Sequence, residues 1–257
     1  MPEAVLTRVR SGAIGLALPL AAVVLAFATT ALLLLAIGSD PVEAYSEMAD
    51  AAFGDSFAVS NTLLKSLPRL LAALGIALAL RAGLWNIGAE GQIYIGGIAA
   101  TAAYLWLPDV GLLITLVAVL AGAAGGALWA AGPGVLRAAR NVSEVITTLM
   151  LVYVAILLAN YLIQGPWSVS GATFPASDPV PSSERLPIIW DGTLLNAGEL
   201  IGLLCAGLLW LVFDRTALGV RLRAVGSSPR GATFAGVNVK RTIVIAMALS
   251  GAAAGLA

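Results

Sequence analysis

Asn86, Glu90 and Gln92 stand close together in a stretch, Arg81 to Gly97, where one apolar run stops and another begins. Their chemistry is that of recognition and capping: two side-chain amides that donate and accept hydrogen bonds, and one carboxylate that accepts them. Gly83, Gly88 and Gly91 are interleaved with them and permit a sharp turn and close helix approach. The pattern predicts a broken-helix junction. In hydrocarbon, irregular backbone survives only where protein or a water-filled cavity satisfies its amides and carbonyls, so such a break marks a pathway or a structural joint. A carboxylate at the start of the following helix is stabilised by the helix dipole, so Glu90 is read first as a cap that holds the junction, with solute contact as the alternative.

A second polar start, Asn141, Ser143, Glu144, Thr147 and Thr148, opens an otherwise apolar run to Leu162. Glu144 is read chiefly as a capping carboxylate, with Thr147 and Thr148 offering local hydrogen bonds. A third cluster is cationic. Asp214 to Arg241 carries Arg215, Arg221, Arg223, Arg230, Lys240 and Arg241 against one acid. Within it Gly226 and Pro229 form a turn signature, and Ala232 to Ala235 can form a short helix on the inner membrane face. A short exposed helix between two spans is a docking element.

The elements that must hold these groups are membrane helices. The 257-residue chain is 60% hydrophobic and 11% charged, against roughly 25% charged residues in ordinary soluble domains. The fold class is all-α, a polytopic integral membrane protein, read as one transmembrane domain over residues 1–257. Spans are predicted at about 12–38, 61–80, 91–108, 110–136, 141–162, 194–213 and 242–257. Residues 163–193 make a long outer loop, residues 214–241 a cytoplasmic loop, and the acidic segment 39–60 reads as a loop on the outer face. In this topology eleven Lys and Arg lie inside and three outside, while ten of the fourteen acids lie outside. That asymmetry puts the amino terminus in the cytoplasm. The glycines of Gly122-Ala-Ala-Gly125-Gly126 should let a neighbouring helix approach closely.

Composition also removes whole classes of function. There is no histidine, and the single cysteine, Cys205, lies in an apolar run, which weighs against a Ser-His hydrolase, a metal site or a disulfide framework. No phosphate loop of the Gly-x-x-x-x-Gly-Lys type occurs, so ATP is not hydrolysed by this chain. No cofactor, no metal and no nucleic acid partner is expected.

Three stretches in register carry a family resemblance: Gly83-Leu-Trp-Asn-Ile-Gly-Ala-Glu-Gly-Gln92, Ser143-Glu-Val-Ile-Thr-Thr-Leu-Met-Leu151, and Leu222-Arg-Ala-Val-Gly-Ser-Ser-Pro229 through Ala235-Gly-Val237. Together they resemble the nucleoside-type permeases of ATP-binding-cassette importers, within the ribose and branched-chain amino acid permease family. The resemblance covers most of the chain from about Asn61 onward. It implies a permease subunit that forms half of a translocation pathway, with purine or pyrimidine nucleosides as cargo. A simple sugar such as ribose or a branched-chain amino acid is the alternative within the family, and an ion-coupled secondary transporter the alternative outside it.

The implied partners are a separate ATPase subunit, a second permease chain of the same or a related kind, an extracytoplasmic substrate-binding protein and membrane lipid, in the plasma (inner) membrane of a prokaryote. By position, the resemblance assigns Asn86, Glu90, Gln92, Glu144, Thr147 and Thr148 to the substrate pathway. It assigns Arg223, Gly226, Ser227, Ser228, Pro229, Arg230, Ala232, Ala235 and Gly236 to coupling with the ATPase, through a helix that fits a cleft in that partner. The sequence departs from the family pattern at Trp85, where Phe is frequent, at Ser143, where Asn is usual, at Val152, where an Asn is expected, and at Arg230-Gly231, where Glu-Ala is common. Family members continue through about three more spans, so the chain reads as incomplete at its C-terminus.

Overall fold

The computed structural model describes residues 2–108, 111–169, 171, 174–181 and 184–257. Positions 109 and 110, where the third and fourth predicted spans meet, and 170, 172, 173, 182 and 183 of the predicted outer loop lie outside the described residues. So do the side chains of residues 1–16 and 18, including the two cations assigned to the inner face, Arg8 and Arg10.

Ten helices form among the described residues: α1 (Pro2–Ala36), α2 (Pro41–Phe53), α3 (Ser56–Arg81), α4 (Ala89–Trp106), α5 (Leu112–Arg140), α6 (Glu144–Gln164), α7 (Ala197–Arg215), α8 (Ala217–Ser227), α9 (Pro229–Phe234) and α10 (Val239–Gly255). An isolated antiparallel bridge joins Ile188 and Asn196. The chain divides into two compact units, Met1–Val59 and Ser60–Ala257.

In the first unit, α2 occupies the acidic segment that composition reads as a loop. Asp40 explains the difference. Its carboxylate accepts from the Val42 amide at 2.8 Å, Pro41 fills the first turn, and the residues that follow favour helix. The helix buries none of its residues fully, so capping, propensity and a few contacts with α1 carry it. The Tyr45 hydroxyl donates to the Phe27 carbonyl of α1 at 2.6 Å, and the two rings meet edge to face at 5.3 Å.

The second unit is built around a seam of small residues where α4, α5 and α10 meet. A Cβ added at Gly126 would stand 2.2 Å from the Gly251 carbonyl oxygen, and one at Gly122 would stand 2.8 Å from that of Gly255. Side chains larger than hydrogen are therefore excluded there. Backbones this close gain dispersion contacts and interhelical polar contacts, which drive helix association where lipid removes the hydrophobic incentive.

Among the described residues, five helices are long and apolar enough to cross a membrane: Pro19–Ala36 within α1, and α3, α5, α6 and α7. The central α4 and α10 fall outside that group. The 18-residue α4 is too polar, with Glu90 and buried Gln92, and the 17-residue α10 is short and carries buried Thr242 and Ser250. The predicted cytoplasmic loop 214–241 is largely helical, and the short helix expected at Ala232 to Ala235 starts earlier, at Pro229. Residues 217–227 form α8, with Thr216 as its cap, and α9 follows after Ser228.

Candidate functional site

The stretch from Ala82 to Gly88 joins α3 to α4. The end of α3 is closed by the Gly83 amide bonding to Leu80 and the Leu84 amide to Ala79, at 2.9 and 3.0 Å. Gly83 holds φ at +74°, a conformation that an L side chain would strain. Beyond it, Asn86 and Gln92 form a reciprocal amide pair. Each side-chain NH2 donates to the other's carbonyl oxygen at 2.8 Å, and the Asn86 NH2 also donates to the Ser250 hydroxyl of α10 at 2.8 Å. The Gly88 amide donates to Asn86 Oδ1 at 3.2 Å. Both amides are 1% exposed. The junction is thus pinned to α10 by a satisfied polar network, the arrangement that low dielectric requires of buried amides.

A second elbow lies between α5 and α6. Asn141 ends α5 in the left-handed region at φ +55°, which Asn tolerates better than most residues. Glu144 then turns its carboxylate back to Arg137 of α5, 3.3 Å away, and accepts the Trp85 amide at a long 3.4 Å. Its side chain is 7% exposed. Thr148 donates to the Glu144 carbonyl at 2.6 Å, and Thr147 to that of Ser143 at 3.1 Å. The α4 and α6 backbones meet here, since a Cβ at Gly88 would lie 2.8 Å from Thr148 Cβ and one at Gly91 2.8 Å from Val152 Cα. Val152, the departure from the family pattern, is buried in that seam.

The third part is cationic. Asp214, at the end of α7, receives Arg81 at 3.1 Å and Arg223 at 3.6 Å, while Arg223 also donates to the Phe213 carbonyl at 2.8 Å. The Arg81 guanidinium lies over the Phe213 ring, 5.4 Å from its centroid. Gly226, near the end of α8, fits against the junction itself: a Cβ there would fall 2.2 Å from the Arg81 carbonyl oxygen. Ser228 caps α9 by accepting the Gly231 amide at 3.1 Å. On α9, Ala232 is buried, whereas Pro229, Arg230 and Phe234 are exposed, Phe234 at 94%. A recess of about 1020 Å3 beside α9 is walled partly by Arg137, Arg140 and Lys240.

Of the residues assigned to the pathway, Asn86 and Gln92 touch one another, and Glu144 meets the same junction through Trp85. Thr148 is buried in the α4–α6 seam, Thr147 is half-buried, and Glu90 alone of the six is exposed. Of those assigned to coupling, Arg223 and Gly226 touch α3 or α7, Ala232 is buried, and Ser227, Ser228, Pro229, Arg230, Ala235 and Gly236 form an exposed run. Sequence reasoning missed Ser250, Arg137, Asp214 and Phe234. Phe234 carried a signal, as an aromatic in a segment otherwise small and cationic. Ser250 carried almost none, being one hydroxyl among the Ala and Gly of an apolar helix.

Apolar helices of crossing length, wrapped around buried amides and leading to an exposed short helix on a cationic face, define a multi-pass membrane protein. The chain belongs to the family described as branched-chain amino acid transport system, permease component, whose model matches residues 58–257. It is 34% identical over 254 residues to the guanosine ABC transporter permease protein NupP of Bacillus subtilis, covering 94% of this chain and 70% of the relative. It is 32% identical over 247 residues to the nucleoside ABC transporter permease protein NupB of Lactococcus lactis, covering 93% and 68%. The glucose ABC transporter permease protein TsgB13 of Haloferax volcanii is 35% identical over 253 residues, covering 93% and 65%. These relatives are transport components. No solved structure matches the chain.

Proposed function

We propose that this chain is the permease subunit of an ATP-driven importer of nucleosides, forming half of the translocation pathway with a second permease chain in a prokaryotic plasma membrane. It works with a separate ATPase, which docks on the cytoplasmic side, and with an extracytoplasmic protein that delivers the cargo. The N-terminus is cytoplasmic. The observation that carries the coupling is the contact of Gly226 with the Arg81 carbonyl, because it ties the helix pair α8–α9 to the α3–α4 junction.

Closure of the ATPase on α9 displaces α8, and α8 bears on the junction that holds Asn86, Gln92 and Ser250. The helices leaving that junction, α3 and α4, then tilt, and access switches between the two faces of the membrane. Transport uphill requires cargo to bind the two states unequally, since a ligand with equal affinity for both shifts nothing. Exposed Phe234 and the cationic recess supply an apolar knob and a charged rim for the ATPase surface.

Nucleoside cargo is supported by the names of the NupP and NupB relatives. A simple sugar is the second reading, favoured by the TsgB13 relative at 35% identity. The test is uptake of labelled adenosine by cells carrying the gene with its neighbouring transporter genes, competed by unlabelled uridine, ribose and leucine. Competition by uridine alone is expected. Competition by ribose or leucine would move the cargo to that class.

A further inference from the structure

Every hydroxyl of α4, together with its carboxylate, lies on one side of the helix. At about 3.6 residues per turn, Glu90, Tyr94, Thr101 and Tyr104 fall within about 80° of arc, and Gly97 falls among them. Gln92 points the opposite way, into the network with Asn86 and Ser250. The polar stripe is open near the junction and half-buried further along, at Thr101 and Tyr104. Glu90 is exposed, Tyr94 is 41% exposed, and a Cβ at Gly97 would meet nothing within 4 Å. Hydrocarbon is a poor neighbour for such a face, because ionisable and polar groups within spans face a bundle interior or a water-filled cavity.

Along this stripe the structure has a groove of about 330 Å3 between α4 and α6, closed at one end by the segment that follows α6. The size is within the roughly 300–1,000 Å3 of small-molecule sites. Its walls combine two aromatic rings, Tyr94 and Trp167, with two hydroxyls, Thr101 and Ser177, and an aliphatic side from Ile98 and Ile163. Trp167 is held edge-on by Trp106 at 6.3 Å, which fixes its ring. Its amide is also tied to the Leu162 carbonyl at 2.9 Å.

We infer that this groove is a recognition site for the nucleoside cargo, a deepening that rests on the nucleoside reading above. A nucleoside presents a flat aromatic base and a sugar with several hydroxyls. The aromatic walls suit the base, since stacking on Trp or Tyr is tolerant of base identity. Thr101 and Ser177 suit the sugar, since each hydroxyl both donates and accepts. The open side at Gly97 leaves the ring of a ligand room to lie against backbone. Glu90, on the same face and nearer the junction, forms the next polar contact along the path.

The test uses the assembled transporter with the ATPase present, reading KM and maximal rate for adenosine uptake and the competition by ribose. Trp167→Ala and Thr101→Val are expected to raise KM, by about tenfold for the tryptophan as befits loss of a stacking face, with maximal rate per transporter retained. Trp167→Phe should keep KM near the wild-type value, and Trp167→Ala should reduce the preference for adenosine over ribose. A merely structural role for Trp167 would instead lower maximal rate for all cargo alike, with KM unmoved, and would overturn the site. Wild-type nucleoside uptake with unchanged KM in both Trp167→Ala and Thr101→Val overturns this groove alone. A wild-type transporter that takes up sugar and no nucleoside overturns the cargo reading and this site together.

Discussion

At the scale of single residues, the polar groups separate into those buried and paired within the fold and those left exposed. Asn86 belongs to the first set. Its amide satisfies Gln92, Ser250 and the Gly88 amide at once. Asn86→Ala would leave those partners buried and unpaired, at a cost of about 1–3 kcal/mol, seen as a lower thermal midpoint of the purified protein in detergent without any substrate. An unchanged midpoint would mean that the amide serves the solute and not the fold. Glu144 resembles Asn86 in that its buried carboxylate has partners within the fold, Arg137 at 3.3 Å and the Trp85 amide, although the Arg137 end of the pair is one-third exposed and open to water. Glu90 differs from both. Its side chain is exposed, so Glu90→Gln is expected to leave the thermal midpoint unchanged.

Among elements, the seam of α4, α5 and α10 decides how tightly the second unit closes. Gly126 and Gly132 lie on the same helix, and their surroundings are opposite. Gly126 faces the Gly251 carbonyl with no room for a methyl group, whereas a Cβ at Gly132 meets nothing within 4 Å. Gly126→Ala is expected to destabilise by about 1–3 kcal/mol through overpacking. Gly132→Ala should be neutral or gain about 0.5–1 kcal/mol from helix propensity. Thermal melts of the two variants in one detergent decide it, and equal midpoints would contradict the seam. The glycine spacing in Gly122 to Gly126 made this close approach legible in the sequence. Its partner was not, because α10 lies far along the chain and its Ala and Gly residues have no signature of their own. The junction at Gly83 to Gly91 was legible from punctuation by glycine and amides. That its two amides bond to one another depends on three-dimensional geometry that spacing does not encode. The helix α2 was hidden for another reason, since acidic composition masked an Asp-Pro start that a capping argument would have found.

At the scale of the molecule, three parts of the second unit follow one another in space: an exposed α9, the α8 end that meets Arg81, and a junction bonded to α10. The cationic face was visible as charge asymmetry, but its internal wiring through Asp214 to Arg81 and Arg223 was not, because both cations belong to helices distant in sequence from one another. Phe234, at 94% exposure, should matter to partnership and not to folding. Phe234→Ala is expected to leave the thermal midpoint unchanged, to weaken co-purification of the ATPase, and to reduce uptake by at least about tenfold, in keeping with the cost of truncating an aromatic anchor at an interface. Uptake at the wild-type level in that variant would mean that α9 does not dock the ATPase through this ring.

The most direct measurement of the central claim is uptake of labelled adenosine into vesicles that hold the assembled transporter, energised either by ATP on the cytoplasmic side or by a proton gradient alone. The coupled-permease account predicts uptake with ATP and none with the gradient. Uptake driven by the gradient without ATP would contradict it and make the broken helix part of an ion-coupled carrier.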